Sequence, residues 1–282
     1  MTRRLRFCLA IVMGLLAAPR LGWTAEAEPL MFGVLPYLTA RQIVEIYRPV
    51  ADALEIQLKR RVLLYTARDY KTFVARTRRG EYDILLTAPH LAWLAQHEVG
   101  YRPLLQYAQP IRGLLVVKSD SPFYSVETLR GHTIATADPL ATAILATEAQ
   151  LASRGLKHSI DYQTTDSVTH INAAMQVING RAGGAMLAQQ PYNMMRPELR
   201  RQLRVLSVSA PLPGLMYLTH SRLAHAETEA LRMALLRFSA SSSMQAVRHR
   251  IDHGDIQAVE GNALQPIPAY ALQVQESLRQ TP

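Results

Sequence analysis

Cysteine is all but missing from this chain. The single one among 282 residues, Cys8, lies in an N-terminal apolar stretch and is not preceded by the residues of a lipoprotein cleavage site. The remainder can form neither a disulfide framework nor a thiolate nucleophile, and it cannot build a Cys-based metal site. Long apolar runs are missing too: after residue 18 nothing approaches the roughly 18 uninterrupted apolar residues that a membrane-spanning helix needs. Gly-x-Ser-x-Gly, Gly-x-Gly-x-x-Gly and P-loop patterns do not occur, and the nine histidines and the acids are scattered. No enzyme class, metal or cofactor is implied. Aromatics make up 7% of the chain and are not interleaved with the basic residues, which sit on amphipathic helices (Arg76, Arg78, Arg79; Arg200, Arg201, Arg204). That argues against a nucleic-acid surface.

The chain has a formal charge of +9. Residues 1–27 hold four arginines (Arg3, Arg4, Arg6, Arg20) against one acid, Glu26, so the rest stays moderately basic. Those first residues read as a secretory signal: a basic start, an apolar core over residues 7–18, and a small-x-small site, Ala25-Glu-Ala27, with cleavage expected near Ala27. The expected product is a secreted, periplasmic chain with no direct membrane insertion, long enough for two medium lobes.

Downstream, strand-like and helix-like runs alternate. Residues 30–35 read as a buried strand closed by Pro36, and residues 40–58 as an amphipathic helix that Pro49 should divide or bend. Residues 62–65, 70–79 and 82–86 continue the β-α-β pattern of an α/β domain with a largely parallel sheet. Extended runs at 104–108 and 114–118 lead to a second unit: a strand at 132–137, helices at 139–154 and 168–179, and a strand at 184–187. Runs at 205–209 and 215–219 lead back to two closing helices near 226–239 and 242–252. The units echo one another, since a helix ending at Gly80 precedes Glu-Tyr-Asp83 and a strand, and a helix ending at Gly180 precedes Arg-Ala-Gly183 and a strand.

Several segments then stand in a recognisable order: Phe32-Gly-Val-Leu-Pro-Tyr37, Tyr47-Arg-Pro-Val-Ala-Asp-Ala-Leu54, Gly80-Glu-Tyr-Asp83, Val116-Val-Lys-Ser-Asp-Ser121, Leu129-Arg-Gly131, Ala137-Asp-Pro139, His170 and Leu212-Pro-Gly214. From about residue 30 to 250 the chain resembles the periplasmic substrate-binding proteins of phosphonate, phosphite and phosphate ABC transporters. The resemblance implies a two-lobed type II periplasmic-binding fold with two hinge crossings. Residues 28–110 and 210–282 would form lobe 1 and residues 111–209 lobe 2, closing on a small oxyanion ligand for an ABC permease at the inner membrane. The same closure could instead signal to a membrane sensor kinase.

The resemblance also implies that the helix after Pro139 grips the oxyanion. Proline suits the first helical position, and the amides of Leu140, Ala141, Thr142 and Ala143 would lack intrahelical partners at the positive end of the dipole. Thr142 would add its hydroxyl and His170 its ring, with Tyr37, Thr87 and His90 shaping the opposite wall. The chain departs from the family where ligand identity is decided. The usual Ser-Thr-Ser reads Ala141-Thr142-Ala143, while Pro191 and Leu215 replace carboxylates that would hold an amino group. An aminophosphonate is therefore not expected.

Overall fold

The computed structural model describes residues 27–280 except 168, 249 and 260–266, so the expected signal segment lies outside the described residues. The first unit runs β1 (Leu30–Val34), α1 (Ala40–Leu58), β2 (Val62–Tyr65), α2 (Tyr70–Arg78), β3 (Ile84–Thr87), α3 (Pro89–Val99) and β4 (Arg102–Tyr107). The second runs β5 (Gly113–Lys118), a 3-10 turn (Val126–Leu129), β6 (Thr133–Thr136), α4 (Thr142–Ser153), β7 (Gln163–Asp166), α5 (His170–Ile178), β8 (Gly184–Ala188), α6 (Gln189–Asn193), α7 (Pro197–Arg200) and β9 (Leu203–Val208). The chain closes with β10 (Met216–Thr219), α8 (His225–Ser239), α9 (Ser242–Arg248), β11 (Ile256–Gln257) and α10 (Pro268–Gln280). The sequence pattern had not separated β7, β11 and α10 as elements.

Two sheets result, ordered β11-β4-β10-β3-β1-β2 and β7-β6-β8-β5-β9. In the first, β3 lies parallel to β1 and antiparallel to β10; in the second, β8 lies parallel to β6 and antiparallel to β5. The echo in the sequence is thus a repeat of topology. Helices ending at Arg78 and Ile178 stop alike: Gly80 and Gly180 take φ of 66° and 69°, and the next N–H reaches back to Arg76 and Gln176 carbonyls at 3.2 and 2.8 Å. A left-handed residue just past the last turn satisfies carbonyls that the helix leaves bare.

Helix α1 shows local sequence choosing local structure. Thr39 caps it, with Gln42 N–H on its hydroxyl and the Gln42 side chain back on its own N–H, and Ile43, Tyr47, Val50 and Leu54 bury one stripe. Of the two expected effects of Pro49, division does not occur: the helix runs unbroken through it. The carbonyl deprived of its partner by the missing proline N–H is that of Glu45, four residues earlier, and it accepts from Arg250 at 3.3 Å. A guanidinium from the far end of the chain fills the gap.

Two stretches connect the sheets, β4 to β5 and β9 to β10. They touch through a reciprocal pair of bonds between Ile111 and Leu212, 2.8 and 2.9 Å. Within each sheet the three parallel strands end on the side where the loops after β1, β2, β3, β6, β7 and β8 gather. Carboxyl ends of parallel strands are where open α/β sheets bind ligands.

Candidate functional site

Helix α4 begins at Thr142, three residues later than the pattern around Pro139 suggests. The cause is Asp138. Its carboxylate accepts the Leu140 N–H at 3.0 Å and its carbonyl accepts the Ala141 N–H at 2.9 Å, so the chain makes a side-chain-closed turn before the helix starts. The Leu140 and Ala141 amides are therefore spent inside that turn, which corrects the expectation of four open amides. Two remain: no described residue accepts from Thr142 or Ala143 N–H, while Ile144 and Leu145 both bond to the Ala141 carbonyl. The second carboxylate oxygen of Asp138 accepts from Tyr70 N–H, the first residue of α2 on the other sheet, at 3.2 Å. Burial pushes the Asp138 carboxyl above its usual range, against the pull of those two amides.

The Thr142 hydroxyl is not free either. It lies 2.8 Å from Nδ1 of His90, whose Nε2 lies 2.8 Å from the Leu140 carbonyl. A carbonyl only accepts, so Nε2 carries the proton and Nδ1 takes the threonine's. Burial lowers the pKa of His90 to about 4. The wall residue and the expected anion donor thus join to each other, fastening α3 to α4 across the gap between sheets.

His170 stands at the head of its helix and on the lining of a cavity between the sheets. It is the first residue of α5, with Thr169 as N-cap accepting from Asn172 N–H at 3.2 Å, and it is 5% exposed. Ala188 N–H donates to its Nδ1 at 3.3 Å. Nε2 must then carry the proton and acts as a fixed donor, for which no described residue serves as acceptor. Burial takes its pKa down to about 4.

These donors meet two adjoining cavities. The inner one, about 30 Å³, lies between the sheets and is lined by Tyr37, Tyr70, Thr142, Ala143 and His170, with Pro191 and Leu215 at the positions where the resemblance would put carboxylates. The outer one, about 340 Å³, shares Tyr37, Tyr70, Ala141 and His170 and adds Arg68, Asp69, Asp138 and Asp166. Tyr37 contributes its ring more than its hydroxyl, which is shared with Tyr47 and His253 at 2.8 and 2.9 Å. Thr87 does not join the site. The pleat of β3 turns it with Leu85 into a separate void of about 10 Å³ beside α2 and α3. Trp93 stacks on His97 with ring centres 3.8 Å apart, as packing.

Sequence reasoning missed His253, which arrives from 216 residues away in a segment of irregular backbone and carries no local signal. It also missed Tyr70. The repeat could have exposed it, because Tyr70 opens α2 after β2 as His170 opens α5 after β7. Among the described residues no cluster of three or more His, Cys, Asp or Glu is placed to hold a metal ion, and no helix is long and apolar enough to cross a membrane.

Two repeated sheets, two connecting stretches and a polar site between them define a mixed α/β protein of the type II periplasmic-binding fold. The chain belongs to the family described as "ABC transporter, phosphonate, periplasmic substrate-binding protein", whose model matches residues 32–263. A binding protein component of an ABC phosphonate transporter from Pseudomonas aeruginosa is 20% identical, with a TM-score of 0.77 over 89% of this chain and 87% of that one. PhnD1 from Prochlorococcus marinus, solved with methylphosphonate, is 14% identical, with a TM-score of 0.80 over 88% and 99%. A Xanthomonas citri protein solved bound to ATP is 21% identical, with a TM-score of 0.72 over 89% and 99%. The family is a binding component of transport systems rather than an enzyme family.

Proposed function

We propose that this protein captures a small oxyanion-containing ligand, of the phosphonate, phosphite or phosphate kind, in the periplasm and delivers it to an ABC permease. Residues 28–110 with 210–282 act as one lobe and residues 111–209 as the other. The ligand bridges them, binds the closed arrangement better than the open one, and so shifts the population toward closure. The observation that supports this reading is that Thr142, Ala143 and His170 line one inter-sheet cavity while no described residue accepts from the Thr142 and Ala143 N–H groups or from His170 Nε2. Tyr37 supplies a wall, and His90 serves as a clasp through Thr142 and Leu140.

The test is a thermal-shift and calorimetric screen of phosphate, phosphite, methylphosphonate, sulfonates and small carboxylates. A true ligand at 100 times its dissociation constant should add about 2.7 kcal/mol of stability, visible as a shift of several degrees. His170→Ala should shrink the shift of whichever anion gives one. If no anion in the panel binds, or if the variant responds as the parent does, the assignment of this site is wrong.

A further inference from the structure

Nothing positively charged lines the inner cavity among the described residues. Its donors are all formally neutral: the Thr142 and Ala143 peptide N–H groups, the His170 imidazole N–H and, on the same lining, the Tyr70 hydroxyl and the Gln190 side-chain amide. As for the hydroxyls that could reinforce them, Ala141 and Ala143 have none, Thr142 is committed to His90 and Tyr37 to Tyr47 and His253, and that of Tyr70 is neutral as well. The outer chamber adds the carboxylates of Asp69, Asp138 and Asp166 against a single guanidinium, that of Arg68. Even that one is largely in solvent and paired with Asp69 at 3.1 Å.

Resting on the reading above, we propose that this site discriminates by charge number, accepting singly charged oxyanions and rejecting doubly charged ones of the same shape. Stripping water from an ion costs energy that grows with the square of its charge, whereas the return from neutral donors grows only in proportion to it. A dianion would need a cation to restore the balance, and here it would meet three carboxylates instead. The inner cavity, about 30 Å³, suits a compact head group, with the remainder of a ligand extending past Tyr70 and Ala141 into the outer chamber. His170 is the second, independent pointer to a ligand beside the α4 terminus, being buried, on the lining of both cavities, and left with an Nε2–H that no described residue accepts.

The pair of probes that isolates charge from shape is methanesulfonate, singly charged throughout, and methylphosphonate, which loses its second proton within the working range. Calorimetric titrations would run from pH 5.5 to 8.5 at constant ionic strength. The protein groups facing the site are Asp69, Asp138, Asp166, Arg68, His90, His170, His253, Tyr37 and Tyr70, and methanesulfonate reports their combined titration at every pH. Relative to it, methylphosphonate affinity should fall roughly tenfold per pH unit above its second ionisation, as expected when only the monoanion binds. Asp166→Asn, which removes a charge from the outer chamber yet keeps an oxygen for the Thr136 hydroxyl, should narrow the gap between the two probes at pH 8.5 by roughly threefold to tenfold. Methylphosphonate that binds as well or better once doubly charged, or a gap unmoved by Asp166→Asn, would overturn the charge rule and leave the oxyanion site standing. Absence of binding by both probes at every pH, together with silence across the wider anion panel, would overturn the site itself.

Discussion

The two halves share a strand order but are filled with opposite materials. Around β3 the first half uses bulk and charge: Asp83 accepts from Met31 N–H at 2.7 Å and from Arg222 at 2.7 Å, and the Tyr82 ring lies flat over Gly33. At the equivalent turn before β8 the second half has Gly183, where an added Cβ would stand 3.1 Å from that of His132. Nearby, Gly113 lets β5 approach α4 so closely that a Cβ would stand 2.2 Å from the Ala143 carbonyl. The same topology thus gives one half a wall of rings and hydroxyls, and the other an exposed backbone. Small residues in the second half let peptide groups reach the site where a side chain would otherwise stand in the way.

This contrast can be attacked directly. Gly113→Ala should cost about 3 kcal/mol in chemical denaturation, because the obstacles are the Thr147 hydroxyl and the backbone Ala143 carbonyl to which it bonds, and the carbonyl cannot swing aside. It should also abolish ligand-induced stabilisation by displacing α4. Asp83→Ala should cost about 2 kcal/mol by leaving the Met31 amide without its acceptor and Arg222 with only the Gly80 carbonyl. The reciprocal swap, Gly183→Asp, should not recreate that anchor and should lower the melting temperature as well. If Gly183→Asp is neutral, the two halves are more interchangeable than their packing implies.

Acid should reveal the difference in a graded way. Burial holds His90 and His170 near pKa 4 and His253 near 3, below the 6.5 of the exposed ring. In the unfolded chain each takes up a proton that the folded protein refuses, so stability is greatest above about pH 6.5 and is lost as pH falls toward about 4. Each ring contributes a slope of about 1.4 kcal/mol per pH unit within that window. Two of the three rings belong to the first half. Replacing His253 by Phe should therefore flatten the profile of the melting temperature against pH, and replacing His170 as well should flatten it further. The smallest effect expected is that of His90→Ala, which removes the clasp on Thr142 and Leu140 and should shift the closed population by about 1 kcal/mol. Small-angle scattering without added anion would register it as a larger radius of gyration.

How much of this was legible in the residues depended on distance along the chain. The Thr39 cap and the spacing of Ile43, Tyr47, Val50 and Leu54 announce α1 within twenty residues, and Gly80 and Gly180 announce the strands after them. The start of α4 was misjudged because Pro139 favours a helix locally, while the tie that delays it is an aspartate turn also held by Tyr70 from another sheet. The polar strand Gln163–Asp166 has no apolar alternation to betray it, being an edge strand with one neighbour. The resemblance pointed to His170 and Thr142 as ligand contacts, and both lie on the lining of the inner cavity. It could not foresee that a histidine from the facing sheet would occupy the threonine, nor that His253 would come from a remote segment to hold Tyr37.

The paired stretches joined at Ile111 and Leu212 act as a two-ply strap. Such a strap flexes across its width like the spine of a book, yet it resists wringing because the plies cannot slide past one another while riveted together. Adding or deleting one residue on either ply would skew the covers permanently, whereas the same edit in an outlying loop would merely lengthen a page.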